Sequence, residues 1–299
     1  MDRFQELTAF QAVAETGAFA AAARRLNLST ASVSRAVAAL EQRVGAALLV
    51  RTTRRVHLTE AGERYLDDCR RILAELEEAD ASAAGSHATA RGELSVTAPV
   101  LFGALYVTPL IVDYLTAHPQ TTVHAMLVDR VVSMQDEGID VGIRIGDLPD
   151  STLHAVQVGH VRRVVCAAPQ LLARVGTPDH PSALARCPVV MASGVSHTKD
   201  WRFTDGGKPV SVWIEPRLTV NVNEAAILAA RRGFGFTRVL SYQIAAEVAA
   251  GELTVVLQRF EPPPLPVHVV FREGRKASAK VRSFVDFCAT RLREHPALR

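Results

Sequence analysis

Residues 19–58 read FAAAARRLNLSTASVSRAVAALEQRVGAALLVRTTRRVHL, and they predict two helices separated by a turn. The first helix runs from about Ala20 to Leu26. Ser29 then caps a second helix, because its hydroxyl can accept a backbone N–H of the first turn. Gly45 ends that helix, since glycine readily adopts the left-handed conformation found after a helix C-terminus. Apolar residues recur on one face at helical spacing and are expected to pack on a core: Val33, Val37, Leu40 and Val44.

The start of the second helix carries short hydroxyl side chains and one guanidinium. Such side chains let a helix N-terminus approach phosphates and base edges closely. The residues predicted to contact a DNA groove are Ser29, Thr30, Ser32, Val33, Ser34 and Arg35.

An arginine-rich hairpin follows the second helix. Candidate strands at 48–50 and 56–58 flank a tip with the sequence RTTRR. Arginine suits a narrow minor groove, where the negative potential is deep, so Arg51, Thr52, Thr53 and Arg54 are predicted to contact DNA. A solvated turn explains the tip alone equally well, because charge runs are usually solvated. The adjoining helices favour DNA, and the whole stretch predicts a winged helix-turn-helix.

The charge distribution supports a DNA-binding N-terminal module. Residues 1–60 hold eight arginines and five acidic residues, whereas residues 61–90 hold three arginines and seven acidic residues. A basic module therefore precedes an acidic segment that should avoid DNA. The chain is 48% hydrophobic and 22% charged over 299 residues, which is ordinary globular composition for about two domains or more.

Several classes of protein are disfavoured by composition. The four cysteines lie far apart, without the spacing of a metal site, so neither a metal nor a cofactor is expected. Charged residues near the N-terminus interrupt any signal-peptide run, and no stretch is expected to reach transmembrane length. The predicted location is the cytoplasm, with no membrane partner.

A long helix is predicted from Thr59 to about Ala84. The Thr59 hydroxyl can cap its first turn, and acidic residues follow. Its narrow apolar stripe is most simply buried against a second copy of the chain; packing on the chain's own head and C-terminal domain is the alternative. Residues 85–92 are interpreted as a hinge. The stripe consists of Tyr65, Leu66, Cys69, Ile72, Leu73 and Leu76.

From Glu93 onward the pattern becomes an alternation of strands and helices, which predicts parallel sheets with crossover helices in two lobes. The predicted strands are 94–98, 122–128, 139–145, 163–167, 189–192, 210–214, 218–222, 235–239, 253–257 and 267–271. The predicted helices begin at Pro99, Val131, Asn223, Ser241 and Ser278.

Motifs along nearly the whole chain resemble those of LysR-type transcriptional regulators. They are FAAAARRL at 19–26, LS at 28–29, VSR at 33–35, LE at 40–41, Gly45, LL at 48–49, RTTR at 51–54, LTEAG at 58–62, LSVTAP at 94–99, DVGIRIG at 140–146 and GFGF at 233–236. The last motifs are similar to the subgroup with a Val-Gly-Ile-Arg-Ile-Gly strand.

The resemblance implies an α/β protein with three parts. A winged helix-turn-helix would span 1–58, a linker helix and hinge that dimerise the chain would span 59–90, and an effector-binding domain similar to periplasmic binding proteins would span 91–299. Its lobe I would comprise 91–161 and 267–299, and its lobe II 162–266. The implied function is transcriptional regulation by a homodimer or homotetramer on promoter DNA, altered by a small-molecule effector.

Two departures from the family pattern bear on recognition. Thr30 and Ala31 stand where members often carry Gln and Pro or Ser, which argues against base readout by a side-chain amide there. Arg238 lies in a segment where many members are apolar, and at a strand end it would favour an anionic effector.

Carried over residue by residue, the effector site would be lined at strand ends by Thr97, Ala98, Pro99, Val100, Asp129, Arg144, Gly146, Ser193, Ser196, Asn221 and Arg238. Three residues of this region have an alternative interpretation to effector binding. Arg144 fits an ion pair with Asp140 or Asp147 equally well, His197 fits a solvated loop better, and Asn223 fits a helix cap better than a ligand contact.

Two other protein classes fit the sequence less well. No catalytic or nucleotide-binding motif appears, so no catalytic residue is predicted and an enzyme is disfavoured. A free-standing solute-binding protein is disfavoured by the basic head and the missing signal peptide.

Overall fold

The computed structural model describes residues 2–51, 56–83, 90–148, 153–193, 198–272 and 277–298. The side chains of residues 51, 74, 75 and 77–83 are outside this description. The chain forms two compact units, residues 1–88 and 89–299.

The first unit is a winged helix-turn-helix. Its core is formed by α1 (Arg3–Thr16), α2 (Phe19–Arg25) and α3 (Thr30–Val44), and the wing strands β1 (Leu49–Arg51) and β2 (Val56–Leu58) pair antiparallel. The predicted ends of α3 are confirmed, because the Ser29 hydroxyl accepts the Ser32 N–H and Gly45 has φ +74°. Val44 was expected in the core and is 39% exposed, since it lies in the last turn of α3, beyond the buried Leu40.

The long helix α4 (Glu60–Ala83) begins after Thr59, whose hydroxyl accepts the Gly62 N–H at 2.9 Å. The predicted cap is therefore confirmed. Leu66 and Cys69 are buried in the core of the head, so the first turns of the stripe pack on the chain's own head. Farther along, Ile72 is 37% exposed.

The second unit contains two five-stranded sheets, and we call the parts built on them lobe I and lobe II. The lobe I sheet has the order β4-β3-β5-β14-β6, and the lobe II sheet has the order β11-β8-β12-β7-β13. The lobe I strands are β3 (Gly92–Ala98), β4 (Thr121–Leu127), β5 (Val141–Ile145), β6 (His154–Val161) and β14 (Leu265–Phe271). The lobe II strands are β7 (Arg163–Ala167), β8 (Val189–Ala192), β11 (Leu218–Val220), β12 (Phe236–Leu240) and β13 (Thr254–Val256).

Both sheets are mixed, which corrects the prediction of parallel sheets. In lobe I, β14 runs antiparallel to β5 and β6; in lobe II, β12 and β13 run antiparallel to β7. The reason is connectivity. The chain passes from β6 directly into β7 and later returns as β14, so these strands enter their sheets without a crossover helix.

Helices cover the faces of these sheets. They are α5 (Val100–Phe102), a π-helical turn (Gly103–Val107), α6 (Thr108–Ala117), α7 (Pro169–Val175), α8 (Asn223–Arg231), α9 (Ala245–Ala249) and α10 (Ala279–Glu294). Short 3₁₀ turns lie at Pro181–Arg186, Ser241–Ile244, Gln258–Phe260 and Pro296–Leu298.

Several elements differ from the predictions. The stretch 131–137 is not helical; Val132 and Met134 are buried in a small apolar cluster with Val270, and this irregular segment covers the sheet. Strand β6 and helix α7 were missed. So was β9 (Asp200–Asp205), whereas the strand predicted at 210–214 is confirmed as β10 (Lys208–Trp213). The two strands form a hairpin that turns through two glycines with positive φ.

One helical stretch, Val100–Ala117, is long and apolar enough to cross a membrane, with a mean hydropathy of 1.6. The expectation that no stretch reaches this length is therefore wrong. Phe102, Val107 and Tyr114 in this stretch are fully buried in the lobe I core, and the Tyr114 ring contacts Phe284 of α10 with centroids 5.0 Å apart. The core helix of a water-exposed domain has the same composition.

Candidate functional site

The N-terminal turn of α3 presents an exposed polar surface. Thr30 is exposed, and the Ser29 and Ser32 hydroxyls lie 2.8 Å apart in a hydrogen bond. The exposed Arg35 guanidinium reaches the Ser32 hydroxyl at 3.5 Å, and Ser34 is half-buried beside them. The hydroxyls are thus held in place by the cap itself, and the one positive charge of this turn faces solvent.

Val33 cannot belong to that surface. Its side chain is completely buried in the head core, because it lies on the apolar face of α3 with Val37 and Leu40. Its predicted contact with DNA is therefore corrected to a core role. Arg51 is the last residue of β1, with its side chain outside the described residues, and Thr52, Thr53 and Arg54 lie outside them entirely.

In the second unit, a cavity of about 350 Å³ lies between the two lobes. That volume suits a small organic ligand. Its lining includes residues from the ends of strands in both sheets. Of the predicted effector residues, the structure brings together Thr97, Ala98, Pro99, Asp129, Arg144 and Arg238.

Arginine dominates the charge of this cavity. Arg163 and Arg238 lie on the neighbouring antiparallel strands β7 and β12 and form a diagonal pair on one face, since Arg238 faces Val165 and Leu240 faces Arg163. Within the part of the chain that the structure describes, neither guanidinium forms an ion pair. The Arg238 guanidinium instead stacks on the Trp201 ring, 4.8 Å from its centroid.

Burial, together with the nearby charge of Arg163, lowers the pKa of Arg238 to about 9, while Asp200 opposes the change. Burial also lowers the pKa of Arg163. A pKa of about 9 still leaves Arg238 charged at pH 7. The two positive charges are therefore held together in a partly dry site, where an anion would relieve the cost of desolvation.

Lobe I contributes two further cations to the cavity, Arg144 and Arg130. The Arg144 Nη2 donates a hydrogen bond to the backbone oxygen of Val132, and burial lowers the pKa of Arg144. Neither suggested ion pair of Arg144 is formed: the Asp140 carboxylate instead accepts the Ser95 N–H, and no contact joins Arg144 to Asp147 in the described chain. Arg130 also lines the cavity, but it forms a bidentate pair with Glu137 at 2.7 and 2.5 Å.

The carboxylate of Asp129 binds a backbone N–H group at the edge of the cavity. Its Oδ1 accepts the Val100 N–H at 3.0 Å, at the start of the helical stretch that follows β3. A side chain of the protein therefore already binds this N–H group.

Tyr242 and Gln243 close the cavity near the contact between lobes. The Tyr242 ring packs edge-on against Phe102 of lobe I at 5.1 Å, and the Tyr106 hydroxyl donates to the Tyr242 backbone oxygen at 3.4 Å. The Gln243 side-chain oxygen accepts the Leu240 N–H at 2.9 Å. These residues attach the end of β12 to lobe I.

Comparison with known proteins identifies both units. Residues 4–63 match the bacterial regulatory helix-turn-helix proteins of the lysR family, and residues 87–293 match the LysR substrate binding domain. The chain belongs to the LysR family of transcriptional regulators. It is a DNA-binding regulator with an effector-binding domain, as the sequence motifs predicted, and not an enzyme.

Individual relatives support the assignment over full length. An HTH-type transcriptional regulator of Xanthomonas campestris pv. campestris is 35% identical, covering 95% of this chain and 83% of the relative. The regulator DmlR of Escherichia coli is 31% identical, covering 97% and 94%. The solved structure of CrgA, a LysR-type regulator from Neisseria meningitidis, has a TM-score of 0.62 at 28% identity and covers 96% of this chain and 98% of CrgA.

Four predicted effector residues of this regulator lie away from the cavity lining, and one cannot be placed. Val100 contributes its N–H to Asp129, Gly146 has φ +107° in a turn after β5, the Ser193 hydroxyl donates to the Val220 oxygen at 3.1 Å, and Asn221 is exposed. Ser196 lies outside the described residues, as does His197. Asn223 does line the cavity; it is the first residue of α8 and makes no side-chain cap, which corrects its interpretation as a cap.

The cavity lining also contains four residues that were not predicted from the sequence: Arg163, Trp201, Tyr242 and Gln243. The sequence contains a signal for Arg163, because a charged residue at the start of an otherwise buried apolar strand needs a polar environment. Trp201 lies on β9, which was not predicted, and it reaches the cavity through the hairpin of β9 and β10.

Proposed function

We propose that this regulator contacts promoter DNA through Ser29, Thr30, Ser32, Ser34 and Arg35 of α3 and through the wing residues Arg51, Thr52, Thr53 and Arg54. A small anionic effector in the cavity between the lobes changes how the oligomer engages that DNA. The protein would act in the cytoplasm as a homodimer or homotetramer.

The DNA contact is supported by the exposed hydroxyls and guanidinium at the start of α3. The cap bond between Ser29 and the Ser32 N–H leaves the hydroxyl oxygens at the surface with lone pairs and rotatable protons. Hydroxyl groups can bind phosphates and can either donate to or accept from the edge of a base. Thr30 and Ala31 lack the side-chain amide that would recognise adenine through two hydrogen bonds. Much of the affinity is therefore expected from phosphate contacts, with a strong dependence on salt.

Pairing of two copies is supported by the apolar surface of the head. A groove on the head is lined partly by Phe4, Leu26, Leu73 and Leu76, and Phe4 is 39% exposed. This groove continues the stripe of α4 beyond the part that packs on the head core. A second α4 would cover it and bring two DNA-binding heads together, as a two-fold operator requires.

The observation that carries the anionic effector is the Arg163–Arg238 pair in the cavity. Two neighbouring guanidinium groups without an ion-pair partner in the described chain repel each other, and an oxyanion can accept hydrogen bonds from both. Because the cavity has walls from both lobes, a bound anion favours one relative position of the lobes over others. Through this change in lobe position, the effector would alter how the DNA-binding heads engage DNA.

The most direct test is a gel shift with the DNA upstream of the coding sequence, with and without candidate effectors. Wild-type protein should retard this fragment, and Arg54→Ala should weaken retardation and reduce its salt dependence. No retardation at any salt concentration overturns the proposed operator contact.

The effector is tested by a ligand screen on the full chain. Carboxylates should raise the melting temperature of the second unit, and Arg238→Gln should reduce that rise. A rise with only neutral or cationic compounds overturns the anionic effector.

A further inference from the structure

We propose that the effector is a two-ended dianion with an apolar spacer, such as a dicarboxylate, whose acid groups bind one to each lobe. One acid group binds Arg163 and Arg238 in lobe II, and the other binds Arg144 in lobe I. This inference rests on the proposed anionic effector and specifies its chemical class.

The charge of the cavity lining points to two negative charges rather than one. Arg130 is neutralised by Glu137, which leaves the three guanidinium groups of Arg144, Arg163 and Arg238 against the single carboxylate of Asp129. Two positive charges of the lining are thus unbalanced. A monoanion would leave one of them buried without a counter-charge, which is unfavourable in a partly desolvated site.

The positions of the cations separate the two charges of the ligand. Arg163 and Arg238 are diagonal neighbours in the lobe II sheet, whereas Arg144 is on β5 of the lobe I sheet, opposite His268 of β14. Arg144 is also fixed by its bond to the Val132 oxygen. A ligand with both charges on one group would meet the pair or Arg144, whereas a two-ended ligand meets both.

Part of the cavity wall is apolar. It includes Val132, Ile143 and Ile145 of lobe I and Met191 and Leu240 of lobe II. These side chains favour contact with methylene groups or an aromatic ring of a ligand, because such contact removes apolar surface from water. The volume of about 350 Å³ accommodates a short diacid of this kind.

The decisive experiment needs no substitution. Full-length protein is titrated by calorimetry with adipate, pimelate and isophthalate, each beside its monomethyl ester, and with phenyl phosphate, whose two charges share one group. At least one diacid should bind about tenfold or more tightly than its own ester, the ratio expected for one charge-assisted hydrogen-bonded pair.

Variants then locate the two ends. In Arg144→Gln the diacid and its ester should bind alike, and Arg163→Gln should weaken both. Exposed Arg186→Gln in lobe II is the control. Equal melting temperatures of the unliganded variants and wild type exclude misfolding. The comparison of the diacids with their esters on wild-type protein does not depend on the variants.

Each other outcome decides against the two-ended ligand in a distinct way. Equal binding of the diacids and esters overturns it and leaves an anionic effector in place. Preferred binding of phenyl phosphate that is unaffected by Arg144→Gln overturns it in favour of a one-ended dianion. No binding of any compound overturns the dicarboxylate class, while the gel shift and the wider carboxylate screen test the proposed function separately.

Discussion

The Glu41 carboxylate near the end of α3 accepts the backbone N–H of Leu48 at 2.8 Å, and the same oxygen accepts that of Leu49 at 3.0 Å. These N–H groups lie where the chain leaves the helix and enters β1. A single side chain thus joins the end of α3 to the start of β1.

Replacing Glu41 with Ala should destabilise the head. The change leaves the N–H groups of the buried Leu48 and Leu49 without their acceptor, at a cost of about 1–3 kcal/mol. Urea unfolding measures this loss. Glu41→Gln keeps an acceptor oxygen and should retain most of the stability, and Gln42→Ala on the exposed face is the control. Equal stability of Glu41→Ala and wild type would show that the bonds have no net effect.

Arg35→Ala should weaken DNA binding through phosphate contacts. Arg35 is exposed beside the cap of α3, and removing one phosphate contact should lower the slope of log affinity against log salt by about 1. A salt titration by fluorescence anisotropy measures this slope. Arg186→Ala, exposed in the second unit, should leave the slope unchanged. A parallel downward shift of the Arg35→Ala line would assign Arg35 a role without charge.

Gly62→Ala should disrupt the junction between α4 and the wing. A Cβ at this position would lie 2.0 Å from the backbone oxygen of Leu48 and 3.2 Å from the Leu58 side chain. Since a backbone oxygen cannot easily move aside, the helix must shift, at a cost of about 1–3 kcal/mol. Thermal unfolding checks this, with the exposed Glu63→Ala expected to cost at most about 1 kcal/mol. A Gly62→Ala head as stable as wild type would mean that α4 shifts without strain.

Asp140→Asn should change the pH dependence of stability. Burial raises the pKa of Asp140 above 3.8, although the Ser95 N–H and Lys280 oppose the change. A carboxyl with a raised pKa in the folded state contributes stability that is fully present below the unfolded pKa and lost as the pH rises through the folded pKa.

The asparagine variant cannot ionise, so its stability relative to wild type should increase as the pH rises above about 4, with about 1.4 kcal/mol for each unit of pKa difference. Urea unfolding across this range measures the trend, with the exposed Asp136→Asn as control. A constant difference between wild type and Asp140→Asn would show that the carboxyl titrates alike in both states.

The sequence predicted those parts of the fold that local chemistry determines. Ser29, Gly45 and Thr59 work within one helical turn of themselves, and the strand at 163–167 is a buried apolar run, so these features were found. Strand β6 was missed because exposed polar residues such as His154 and His160 interrupt its apolar pattern. The Gly206-Gly207 turn is a local sequence signal for the hairpin of β9 and β10.

The cavity depends on contacts between residues that are far apart in the sequence. Arg238 could be named because it departs from an apolar pattern, but its partner Arg163 depends on the pairing of β7 with β12. Asp129 could be named as a cavity residue, yet its bond to the Val100 N–H joins positions 29 residues apart. Such contacts are set by sheet order, which the spacing of residues along the chain does not encode.

The connection between the lobes gives the second unit a modular construction. The chain leaves lobe I after Val161 and returns at Leu265, and these residues face each other in the antiparallel pair of β6 and β14. Everything between them is an insertion into what would otherwise be a simple hairpin. A short turn joining the two strands would therefore complete the lobe I sheet by itself, and a different inserted domain could be carried by the same two strands.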